Sequence, residues 1–166
     1  MMERSRVGVE GRLLWVVADE PTANAAAERM QRWLELLSAS ERLPEQSDMV
    51  TSNFVLDDRR TLGIGQVERD VAMTYAAAAW DVNPARPRLH VDKLVATRGD
   101  RLALAKVDAV QDGWEDPHLM LWRLRPNLRD LDLAVMLDSG DLDAAIAELD
   151  RLHVEIEAAD GKPPTP

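Results

Sequence analysis

Between residues 26 and 37 apolar side chains return every three or four positions. Ala26, Met30, Trp33, Leu34 and Leu37 form one stripe, the spacing of an amphipathic helix. Glu28, Arg29, Arg32 and Glu35 fill the opposite side, and Thr22 is the candidate N-cap. Residues 51–59 alternate instead. Phe54, Leu56 and Asp58 share one face, and Val55, Asp57 and Arg59 the other, which is the two-residue period of a strand. Gly63-Ile64-Gly65 ends that pattern and opens a second helix over 66–80. Beyond a loop marked by Asn83-Pro84 and Pro87, strands at 88–97 and 101–110 meet around Gly99-Asp100, a dipeptide suited to a primed hairpin turn. A second strand pair covers 118–125 and 131–138, and the stripe Leu142, Ala145, Ile146, Leu149, Leu152 predicts a last helix over 141–153. One more strand is read at 7–18. Helices segregated from antiparallel strands predict an α+β fold, with helices packed on one face of a curved sheet.

A two-residue turn sets a register for the hairpin: Arg98 opposite Arg101, Val95 opposite Leu104, Lys93 opposite Lys106, Val91 opposite Asp108. One face then carries Leu89, Val91 and Val95 with Leu102 and Leu104. The other is Ala-rich, with Ala96, Ala103, Ala105 and Ala109 beside His90 and Asp92. The bulkier face is the expected pocket wall, and the small one suits surface or a partner sheet.

The chain has 166 residues, of which 46% are hydrophobic and 30% charged, enough for one globular domain with its own core. Cysteine is absent, which removes disulfides, thiolate zinc sites and iron–sulfur clusters. Three histidines are too few and too scattered to announce a metal centre. The net charge of −10 argues against a nucleic-acid backbone as partner. No apolar run reaches membrane-span length, and no signal-peptide pattern follows the first residues, so the expected location is cytoplasmic. Five of the aromatic residues are Trp, against one Tyr and one Phe.

Three segments carry a family resemblance. They are Phe54-Val55-Leu56-Asp57-Asp58-Arg59-Arg60 leading into Gly63-Ile64-Gly65, Leu94 through Leu104, and Val135-Met136-Leu137-Asp138 with Asp141 through Asp150. Together they resemble the SnoaL-like branch of the nuclear transport factor 2-like superfamily, of actinobacterial type. The resemblance implies a cone-shaped, cystatin-like curved antiparallel sheet wrapped around helices, with an apolar pocket inside. It implies a homodimer through the sheet, and a small apolar metabolite as ligand with no cofactor. On it, the chain divides into an N-terminal strand or arm (1–21), a SnoaL-like domain (22–156) and a flexible tail (157–166). The superfamily holds biosynthetic cyclases, epoxide hydrolases and isomerases, and also members without catalysis, so fold alone leaves function open.

Inside such a pocket, Asp58, Lys106 and Asp108 are the candidate catalytic groups. Asp58 follows Phe54 and Leu56 inward, where a carboxylate needs a partner such as Arg59 or Arg60. Lys93 and Lys106 face each other and should repel unless Asp108 offsets them; in an apolar cavity that cluster would shift pKa values and stabilise an oxyanion. The competing reading has both lysines snorkelling to the sheet edge. Tyr75, Lys93, Met120 and Trp122 are the candidate ligand contacts, Met120 and Trp122 as adaptable walls. Two function classes follow: a cofactor-independent cyclase, isomerase or hydrolase, or a non-catalytic ligand-sensing or dimerisation module of a larger protein.

Overall fold

The computed structural model describes residues 21–39, 49–81, 88–111 and 113–161; the strand read at 7–18, with Trp15, lies outside them. Helix α1 (Ala25–Ala39) begins at Asn24 rather than at Thr22. The Asn24 side-chain oxygen accepts from the Ala27 N–H at 2.9 Å, satisfying one of the helix's free donors. The same amide donates to the carbonyls of Gly99 and Leu102, both at 2.8 Å, so the cap also ties α1 to a hairpin turn.

Six strands follow: β1 (Val50–Asp58), β2 (Gly65–Glu68), β3 (Arg88–Arg98), β4 (Leu102–Gln111), β5 (Trp114–Leu124) and β6 (Leu131–Asp138). They form one curved sheet in the order β2-β1-β6-β5-β4-β3. All neighbours are antiparallel except β1 and β6, which run parallel, so the sheet is mixed. Strand β2 occupies the start of what the sequence reads as a second helix. That helix, α2 (Arg69–Asp81), begins only after the four residues of β2. The final helix, α3 (Leu142–Asp160), runs past both the expected end at 153 and the boundary at 156. Arg151 is therefore mid-helix, held by Glu148 and Glu155.

Helices cover both faces of the sheet, not one. On the inner face, Ala26, Met30, Leu34 and Leu37 of α1 pack with Phe54, Ala103, Ala105, Val107, Met120 and Trp122. On the outer face, Ala145, Leu149 and Leu152 of α3 pack on Leu102, Leu104, Leu119, Leu121, Val135 and Leu137. The run Leu102-Ala103-Leu104-Ala105 is apolar at every position and fully buried, as expected of a strand covered on both sides. Helix α3 covers this outer face over Leu104, Leu121 and Val135.

The hairpin register differs from the expected one near the turn. Arg98 pairs with Leu102, leaving three residues in the connection, and Gly99 has φ 54°. Irregularities after Leu94 and after Val91 each add one residue to β3. Each extra residue reverses which side chains face inward. Lys93 still meets Lys106 between the two irregularities, but His90, not Val91, meets Asp108. The Ala-rich row of β4 thus lines the inside and the leucines lie outside. Small side chains on the inner face leave room for α1 and the Trp122 ring; the leucines fill the contact with α3.

Candidate functional site

A cavity of about 350 Å³ lies between the inner face of the sheet, α1 and α2. Its walls are mostly apolar. Trp33, Leu34 and Leu37 come from α1, Phe54 and Leu56 from β1, Met120 and Trp122 from β5, and Ala72, Ala76, Ala109 and Ala134 supply only methyl groups. The rings of Trp33 and Trp122 meet edge to face, with centroids 5.6 Å apart and planes at 69°, a favoured aromatic geometry.

The polar groups Asp58, Arg60, Tyr75, Asp116 and His118 line the same cavity. Asp58 is 2% exposed at the end of β1. Its carboxylate accepts from Arg60 Nε and Nη2, both at 2.8 Å, in a two-pronged pair. The Arg60 N–H at 3.3 Å and the Ile64 N–H complete its partners. Burial alone would push this carboxyl up, but the bonds and charge of Arg60 hold it below its usual range, ionised. The turn that brings Arg60 round closes with Gly63 N–H on the Arg60 carbonyl at 2.8 Å. Gly63 is required by space: a Cβ there would sit 2.5 Å from Asp58 Oδ1 and 2.6 Å from the Asp58 carbonyl oxygen. Thr61 anchors the turn to β6 through Asp138 Oδ2, at 2.9 Å from its N–H and 2.7 Å from its hydroxyl.

Arg60 also reaches Asp116 at 3.6 Å, and the Asp58 pair holds its guanidinium firmly charged. His118 is 3% exposed. Its Nδ1 lies 3.1 Å from the Asp116 carbonyl oxygen. A carbonyl oxygen only accepts, so Nδ1 carries the proton and Nε2 is the bare nitrogen. Burial lowers the His118 pKa first of all, and the positive charge of Arg60 lowers it further, which keeps the ring neutral. Among the described residues Nε2 has no partner, and neither does Trp122 Nε1, although both atoms are buried. Tyr75, half exposed on α2, stands at the rim.

Of the candidates named from the sequence, Asp58, Tyr75, Met120 and Trp122 line this cavity, and Lys106, Asp108 and Lys93 do not. Lys106 pairs with Leu119, so it lies on the face opposite Met120 and Trp122. It meets Asp92 at 3.7 Å with its side chain 43% exposed. Asp108 faces exposed His90 on that same outer side. The reason is the inverted hairpin face: β4 positions 102, 104, 106 and 108 all point outward. His90, Asp92 and Asp108 bring one ligand atom each within 4.8 Å of one another, a grouping that could hold a cation. Lys106 already offsets its charge there. Sequence reasoning missed His118 and Asp116. The signal for His118 was present in His118-x-Met120-x-Trp122, a period-two row shared with two expected wall residues.

No helix among the described residues is long and apolar enough to cross a membrane. No protein-family model and no curated protein matches the chain. Solved structures do. A de novo designed NTF2 fold protein, NT-9, is similar with a TM-score of 0.50 and 7% identity, over 74% of this chain and 90% of its own. A computationally designed 17-OHP binder is similar at TM-score 0.51 and 14% identity, over 69% and 91% of the two chains. SalBIII, an epoxide hydrolase/cyclase-like enzyme with a role in pyran ring formation in polyether salinomycin, is similar at TM-score 0.51 and 11% identity, over 66% and 87%. At such identities the likeness speaks for the fold alone. The curved mixed sheet, the helices against it and these neighbours assign the chain the nuclear transport factor 2-like fold.

Proposed function

We propose that this protein is a cofactor-independent enzyme of the isomerase, cyclase or hydrolase type that moves a proton on an apolar small metabolite. The observation that carries the reading is His118: a neutral imidazole in an apolar cavity, its Nδ1 proton held by a backbone carbonyl and its Nε2 buried without a partner. Such a nitrogen is a general base for a C–H or O–H group of the substrate. Arg60, charged and fixed by Asp58, supplies the positive charge toward which a developing enolate or alkoxide oxygen would turn. Asp58 is a positioning residue, because its carboxylate is already occupied by Arg60. Tyr75 at the rim is the one phenol available to return a proton. Lys106 and Asp108 have no part in this site. Similarity in fold to an epoxide hydrolase/cyclase-like enzyme and to a designed small-molecule binder supports the same direction.

The reaction is tested with 2-tetralone in D2O, following loss of the proton signals next to the carbonyl by NMR. The protein should accelerate exchange with saturation, and His118→Gln should slow it by about a hundredfold or more. Arg60→Met should slow it as well. Exchange no faster than in buffer, or equally fast in His118→Gln, refutes the base role.

A further inference from the structure

Trp122 carries a second unfilled polar atom in the lining of the cavity, in addition to that of the His118 base. The two residues lie on the same face of β5, four positions apart, which separates their Cα atoms by roughly 13 Å at the rise of a strand. Trp122 is 1% exposed, and its Nε1–H finds no acceptor among the described residues. A buried donor without a partner is uncommon and costly, and in a native protein it asks for a water, an ion or a ligand to complete it. The surroundings offer little else. The residues shown beside Trp122 are Trp33 at its ring and Ala103 and Ala134 as its strand partners, none of which bears a side-chain acceptor oxygen. The edge-to-face contact with Trp33 restrains the indole in its plane.

We propose that Trp122 is a specificity-determining residue, whose indole N–H donates to an acceptor oxygen (a ketone, ether or ester) on the apolar ligand. This rests on the reading of the cavity as a small-molecule site. It adds a requirement that the His118 chemistry does not make: the ligand carries an acceptor oxygen remote from the reacting group. A ligand that satisfies both nitrogens carries two polar groups on a largely hydrocarbon frame.

Two probes of nearly equal shape separate the possibilities, tetralin and 1-tetralone, titrated into the full chain. The ketone should bind about tenfold more tightly, the worth of one good hydrogen bond in a dry site. The backbone-matched indole N–H signal of Trp122 should shift downfield with 1-tetralone and stay in place with tetralin. In Trp122→Phe the preference for the ketone over tetralin should fall below about twofold, whatever the change in the affinity for tetralin itself. Equal binding of both probes, or a ketone preference that survives in Trp122→Phe, overturns the inference and leaves the small-molecule cavity standing. Binding of neither probe removes both. If Trp122→Phe does not fold, the indole signal of the unaltered protein decides: a stationary signal on ketone binding overturns the inference and leaves the ring face of Trp33 as the partner.

Discussion

Replacing Asp58 with Asn removes one charge from a pair that is buried on one side and partly wet on the other. The Asp58 side chain is 1% exposed and that of Arg60 21%. Breaking a fully buried pair costs about 3–5 kcal/mol, whereas an exposed pair contributes under about 1 kcal/mol. Asn keeps the shape and can still accept one bond, but it turns an amide N–H₂ toward a guanidinium. Arg60 keeps some water and the Asp116 carboxylate at 3.6 Å. The expected loss is therefore intermediate, about 2–3 kcal/mol at pH 7. For a chain of this size that is a fall in melting temperature of roughly 5–10 °C. The pH dependence gives a sharper check. Arg60 holds the folded pKa of Asp58 below its ordinary 3.8, so the unfolded chain binds the proton first as the solution is acidified. The stability contributed by this carboxylate is fully present above about pH 5 and is lost as the pH falls through the folded pKa. Urea unfolding of the protein and of Asp58→Asn, at pH 7 and at about pH 3, measures the difference between them, from which the other carboxylates cancel. A difference below about 0.5 kcal/mol at pH 7, or one that does not shrink on acidification, refutes the argument that the pair is ionised and structural.

Gly63→Ala should destabilise by about 1–3 kcal/mol through the same turn, since its Cβ would press on the Asp58 carbonyl; a matching loss in the double variant with Asp58→Asn, rather than a sum, would show the coupling. Nitrogen-15 NMR should find the His118 ring less protonated than a free imidazole at about pH 6, and its neutral form with the proton on Nδ1. Stability tied to that ring is full above 6.5 and declines as the pH drops toward the lower folded value; a ring as protonated as the free imidazole at that pH, or a neutral form with the proton on Nε2, contradicts the assignment. Leu149→Ala, in the fully buried contact of α3, should cost about 2–4 kcal/mol in denaturant unfolding. Lys106→Ala and Asp108→Asn should each change stability by less than about 0.5 kcal/mol and leave 2-tetralone exchange untouched; a large loss of exchange in either would return them to the site.

Helix and strand identity was legible wherever one period ran unbroken. The α1 stripe and the Phe54-Leu56-Asp58 row end up on the sides that their spacing indicates. What alternation could not supply was the face of the long hairpin. Over Leu102 through Ala105 strand β4 is apolar at both parities, so that run does not say which parity is inside. Lys106 and Asp108 mark the outer row, and two irregularities in β3 change the facing along its length. That one ambiguity moved Lys106 and Asp108 from the pocket to the surface. Strand β2, at four residues, is shorter than any periodicity window. His118 escaped notice because a single imidazole at a strand end says nothing of its depth; its burial is set by β5's neighbours and by Arg60, which arrives from a distant turn.

Four methyl groups bound the cavity, at Ala72, Ala76, Ala109 and Ala134, contributed by α2, β4 and β6. Each is the smallest side chain that still has a Cβ, so a larger residue at any of them would draw on the same cavity volume. The protein's capacity for a ligand is thus adjustable in steps of one or two carbons from several directions. None of the four belongs to the Asp58–Arg60 pair or supplies the carbonyl that holds the proton at His118 Nδ1. Size selection and reactivity are encoded in separate residues, which leaves the interior free to be resized, by evolution or by design, around unaltered chemistry.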